Sequence, residues 1–144
     1  MAKLILDMNA MQQDFFSGTA LIGMGTALPA YQLCWLINRH FDTSFIRDTD
    51  QNISLKKKDK QFIFPVYVYN IPNSEHKYLL YKLKHAVESL LPEARQLDYL
   101  WMVQTDTAEE DALEIVTELK KLSDIQLSVV LDPDQLDNLN NLLV

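Results

Sequence analysis

The sequence predicts an α+β domain: a mixed, mainly antiparallel sheet with one long buried helix, a C-terminal β-α-β unit and a short C-terminal helix. Three observations point there. Between residues 44 and 83, short runs rich in β-branched and aromatic residues alternate with turn residues, the pattern of an antiparallel meander. Residues 30–41 carry apolar side chains at helical spacing. Residues 97–131 then run apolar, amphipathic, apolar, which is strand, helix, strand.

Taken in order, Lys3–Asp7 and Thr19–Met24 are expected as strands, separated by the polar Asn9–Asp14 turn region and the Phe15-Phe16 pair. Pro29 marks a helix start, because its missing N–H would be unpaired in a first turn anyway. In the helix over 30–41, Tyr31, Leu33, Cys34, Ile37 and Phe41 fall on a broad arc opposite Gln32 and Arg39, so burial on most sides is expected. Asn38 lies within that arc and is expected to hydrogen-bond a neighbouring backbone, since an unpaired buried amide costs about 1–3 kcal/mol. Ser44–Arg47, Ile53–Lys57, Gln61–Tyr69 and Lys77–Leu83 form the meander. Leu97–Gln104 is apolar on both alternating faces and should be a central strand. Ala108–Leu122 follows as a helix, with Thr107 and Glu110 at capping-box spacing and Leu113, Val116 and Leu119 as the inward stripe. Ile125–Leu131 is the next strand. Asp132 then caps a short helix with Pro133 at its first position and Leu136, Leu139, Leu142 and Leu143 inward.

The 144 residues suit a single domain spanning the chain, and 48% hydrophobic with 23% charged residues is the composition of a globular protein. A net charge of −7 disfavours a nucleic-acid partner, because that binding runs on Lys and Arg displacing counterions. The basic cluster Lys56–Lys60 is expected to be a solvated hairpin turn, with a small phosphate patch as the lesser reading. No secretory leader and no membrane-spanning apolar run is expected, and one cysteine excludes an intrachain disulfide, which points to the cytoplasm.

Residues 91–99 read Leu-Pro-Glu-Ala-Arg-Gln-Leu-Asp-Tyr. Asp98 sits at the mouth of the central strand, where its carboxylate needs Arg39, Arg47, Arg95 or backbone N–H groups. Leu91-Pro92-Glu93, three residues, then Leu97-Asp98-Tyr99 resembles the signature of the IPExxxVDY family, small proteins of Bacteroidota, with Leu for Ile and Leu for Val. Tyr31, Trp35 and Asn38 are similar to that family's pattern as well. The resemblance implies a cytoplasmic bacterial setting and no particular reaction, and Pro92, Glu93, Asp98, Tyr99 and Asn38 are expected to be architectural.

Gly23-Met24-Gly25-Thr26 between a strand and the Pro29 helix is a candidate anion or nucleotide turn, although Leu28 stands where a third glycine would be. Cys34 on an apolar arc reads as a packed thiol, and His40 lies on the wrong side of the helix to serve it as a base. His40, His76 and His85 have no metal-ligand spacing, and no metal or other cofactor is expected. Glu109, Glu110, Asp111 and Glu114 form an acidic helix start that complements the helix dipole. The uncharged run Gln61–Tyr69, interrupted by Pro65, is a candidate interface through Phe62, Phe64, Val66, Tyr67, Val68 and Tyr69. A non-enzymatic interaction or assembly module is therefore expected, binding a second copy or another protein. A small-ligand protein using Gly23–Thr26, and Asp98 with Arg47, is the alternative.

Overall fold

The computed structural model describes residues 18–85 and 88–142. In chain order it contains β1 (Thr19–Gly25), α1 (Ala30–Phe41), β2 (Ile46–Arg47), β3 (Ile53–Lys57), β4 (Lys60–Phe64), β5 (Val66–Asn70), β6 (Lys77–Lys82), β7 (Lys84–His85), β8 (Glu88–Ser89), β9 (Tyr99–Gln104), α2 (Ala108–Leu119) and β10 (Leu127–Leu131), joined in places by 3-10 turns. The α+β class is the one expected. A six-stranded sheet in the order β10-β1-β9-β6-β5-β2 carries the fold, and β3-β4 and β7-β8 form two small hairpins. Every described strand pair is antiparallel. Since β1 pairs with both β9 and β10, the two strands joined by α2 run parallel to each other with β1 between them. The strand expected at Lys3–Asp7, the turn and Phe pair after it, and Leu143 lie outside the described residues.

Alternation along the strands divides the core into two layers. Ala20, Ile22 and Met24 of β1, Leu80 of β6, and Tyr99, Trp101 and Val103 of β9 meet Leu33, Cys34 and Ile37 of α1 and Ala112, Ile115, Val116 and Leu119 of α2. On the opposite face Leu21, Val66, Val68, Leu79, Tyr81, Leu100 and Met102 pack beneath Phe64, Leu83, Leu90, Leu91, Leu97, Leu139 and Leu142. Tyr81 is anchored there by donating its hydroxyl to Leu142 O at 2.7 Å. Each such apolar side chain contributes about 1.5–3 kcal/mol on full burial, so β9, buried on both faces, is the central strand expected. Trp101 is boxed by Phe41, Phe45 and Tyr78, with ring centroids 5.2, 5.3 and 5.4 Å away in edge-to-face arrangements.

Five expectations are corrected. Helix α1 is not buried on most sides: Tyr31 and Trp35 are 70% and 61% exposed, because a helix apolar nearly all round can seat only one side on a sheet. Leu113 points outward from α2, where Ala108, Ala112, Ile115, Val116 and Leu119 form the inner stripe, and Thr107 bonds Asp111 rather than closing a box with Glu110. The C-terminal helix is two 3-10 turns, Pro133–Gln135 and Leu139–Leu142, although Asp132 does cap the first by accepting from the Asp134 N–H. The run 61–69 is not one strand. Pro65 divides it between the β3-β4 hairpin and the main sheet, and Phe64, Val66 and Val68 are buried by other parts of the same chain. These three cannot form an outer contact surface. The basic cluster is the β3-β4 turn, with Lys58 and Asp59 at φ 49° and 66°.

Candidate functional site

Asp98 sits where three segments converge. Its backbone N–H donates to Met24 O at 2.8 Å and its carbonyl accepts from the Leu83 N–H at 3.0 Å. Its carboxylate accepts from the Thr26 N–H at 2.9 Å and from Lys84 Nζ at 2.9 Å. Tyr99 donates its hydroxyl to Leu28 O at 2.7 Å, and Thr26 Oγ1 donates to Asp124 O at 2.6 Å while accepting from the Leu28 N–H. Asp98 and Tyr99 thus clamp residues 26–28, the link between β1 and α1. That link contains Thr26 of the alternative anion-turn candidate, and the protein's own carboxylate already takes the Thr26 N–H.

The glycines before it are sites of close packing. A Cβ on Gly23 would lie 2.6 Å from Leu97 Cδ1, and one on Gly25 would lie 3.2 Å from Leu127 Cβ and 3.3 Å from Gln96 O. Gly23 makes room for Leu97 and Leu131, and Gly25 for Leu127 and the Gln96 carbonyl. Glu93 is exposed and accepts from Asn138 Nδ2, so it ties the same turn to the C-terminal region and shares no hydrogen bond with Asp98. None of the arginines expected near Asp98 bonds it; the cation is Lys84, four residues beyond Leu80 in the chain and brought alongside by the β6-β9 register.

Asn38 meets its expectation: Oδ1 accepts from the Phe45 N–H at 2.8 Å and from Thr43 Oγ1 at 2.9 Å, and Nδ2 donates to Phe45 O at 3.2 Å. It holds the turn after α1 and seats Phe45 against Trp101. Cys34 is buried, and burial pushes its thiol up to about 12, the reverse of what a nucleophile needs. The histidines are dispersed: His40 lies 3.0 Å from Glu118, His76 lies 3.2 Å from Asp106, and His85 Nδ1 lies 2.9 Å from Ile63 O. Hydrogen bonds from Lys121 and His40 hold the Glu118 carboxyl below its usual range. Among the described residues, no group of His, Cys, Asp and Glu is arranged to hold a metal.

Two open clefts are polar. One of about 350 Å³ lies at the start of α2 and is lined by Thr105, Asp106, Thr107, Glu109 and Glu110. The other, about 450 Å³, lies between 50–55 and Asn140-Asn141. Neither is lined by a cysteine or a histidine. The feature that departs from an ordinary surface is the outer side of α1. Tyr31 and Trp35 stand one turn apart, and the Arg39 guanidinium one turn further lies over the Trp35 ring, 5.2 Å from its centroid. Helix α1 carries Arg39 and His40 in its last turn and no carboxylate along its length. Tyr31 belongs to the arc expected to be buried, and the side it occupies depends on the sheet beneath.

No family model, no curated protein and no solved structure matches the chain. No helix among the described residues is long and apolar enough to cross a membrane.

Proposed function

We propose that this protein is a non-enzymatic interaction module, related to the IPExxxVDY proteins and working in a reducing cytoplasm, that binds an acidic protein partner through the outer side of α1. One observation carries the reading: Tyr31, Trp35 and Arg39 form a stripe of the three residue types that dominate binding hot spots, on a helix whose other side is locked to the sheet. The helix is a rigid platform, so its aromatic side chains lose little freedom on contact. The stripe is cationic in a chain of net charge −7, which favours a carboxylate-bearing partner surface. The nucleotide alternative loses its main support, because the Thr26 N–H is already committed to Asp98.

The test is affinity capture from native lysate with wild type and Trp35→Ala side by side. A specific partner should be retained by wild type and weakened about 30-fold or more by the substitution, as for a central hot-spot residue. The melting temperature should barely move, since Trp35 is largely exposed. Equal capture by both proteins would sink the reading.

A further inference from the structure

The two edges of the main sheet are built differently. Edge β2 is two residues long and includes Arg47, a short charged edge of the kind that resists pairing. Edge β10, Leu-Ser-Val-Val-Leu, has five residues with no charge and no proline, and its outer side has no strand partner among the described residues. Val129 and Val130 are 36% and 42% exposed. Val130 pairs with Ile22, whose side chain is on the helical face, so Val130 stands on that face and Val129 on the other. Helix α2 packs over β1, β9 and β10. Its Glu118 bonds His40 of α1, and Leu113 lies five residues earlier, about 140° round the helix. Leu113 is therefore on the flank turned away from α1, above the free edge, and it is 62% exposed.

We propose that the protein forms a two-fold symmetric homodimer by pairing β10 antiparallel with β10 of a second copy, centred on Val129, with Leu113 and Val130 closing over the junction. The strand is self-complementary about that centre: Leu127 faces Leu131, and Ser128 faces Val130. No like charges oppose one another in this ladder, and the first acidic residue beyond it, Asp132, meets Gln126. A second copy thus supplies both the backbone partners that no described strand provides and an apolar cover for the same three exposed residues. The contact lies at the small end of specific interfaces, below about 1,200 Å², so micromolar association is expected. This surface is on an edge strand, whereas α1 meets the inner strand β9 through Phe41 and Trp101 and turns its stripe outward, so the dimer stands or falls independently of the proposed partner.

Sedimentation velocity on the full chain, from low to high micromolar concentration, should show monomer giving way to a species of twice the mass. Val130→Lys and Leu113→Glu should each raise the dissociation constant at least about tenfold, while Trp35→Ala should leave it unchanged. Far-UV circular dichroism checks that the variants fold. Should Val130→Lys misfold, wild-type hydrogen exchange decides: the 127–131 amides must slow as concentration rises. A wild type that stays monomeric, a dimer insensitive to both edge substitutions, or one abolished by Trp35→Ala overturns the proposal.

Discussion

Asp98 shows how one side chain can look catalytic in sequence and act as a bracket in the fold. Its carboxylate is acceptor to one backbone N–H and one ammonium, and its peptide groups bond Met24 and Leu83. Replacing it with alanine leaves the N–H of buried Thr26 without its acceptor, and a buried unpaired donor costs about 1–3 kcal/mol. Asp98→Ala should therefore lower stability by roughly 2 kcal/mol. Asp98→Asn keeps an oxygen for Thr26 and loses only the charge pairing with Lys84, which is part exposed and worth about 0–1 kcal/mol. Urea denaturation of the two variants orders them, and an equal loss in both would show that the Lys84 pair, not the Thr26 bond, carries the effect. Asn38 is the matching bracket after α1, with three hydrogen bonds into the Thr43–Phe45 turn.

At the scale of elements, what was legible followed from periodicity and what was not followed from register. Helices α1 and α2, the central β9, the hairpin at Lys58-Asp59 and the Asp132 cap are each written in a local pattern. The side of α1 that meets the sheet, the outward Leu113 and the Lys84 partner of Asp98 depend on which distant strand lies alongside, and no local pattern holds that. Pro65 reads in the sequence as a break within a strand, whereas it separates two sheets, which makes Phe64 and Val66 core rather than contact residues. The close packing at Gly23 and Gly25 is not legible in the sequence, because the residues that need their space, Leu97 and Leu127, are far away along the chain. Gly23→Ala must push the buried Leu97 side chain aside and should cost about 1–3 kcal/mol, the range for overpacking. Shortening the neighbour tests the cause, since Gly23→Ala with Leu97→Val should recover part of that loss in thermal melts. If the double variant is as unstable as the two single losses added together, the contact is not the reason.

Across the whole molecule, burial on both faces of the sheet keeps ionisable groups in their neutral forms. Desolvation pushes the Cys34 thiol and the Tyr99 phenol each up to about 12, and pushes Tyr81, on the opposite face, upward as well. Their ordinary values are 9.0 for the thiol and 10.0 for the phenols, so above pH 9 the unfolded chain releases protons that the folded chain still holds. A group whose folded pKa is raised stabilises fully below its unfolded value, and that contribution disappears as pH climbs towards the folded one. Stability should thus be level through neutral pH and fall between about 9 and 12. At about 1.36 kcal/mol per pKa unit the total is on the order of a few kcal/mol, a large part of a small domain's margin. Urea midpoints measured from neutral pH to about 11 should decline from the thiol's ordinary range upward. In Cys34→Ala the decline should begin about one unit higher, where only the tyrosines titrate, even though the smaller side chain lowers the whole curve. A wild-type midpoint that holds constant up to pH 11 would mean that water reaches these groups, and the two-layer core would then be looser than its packing implies.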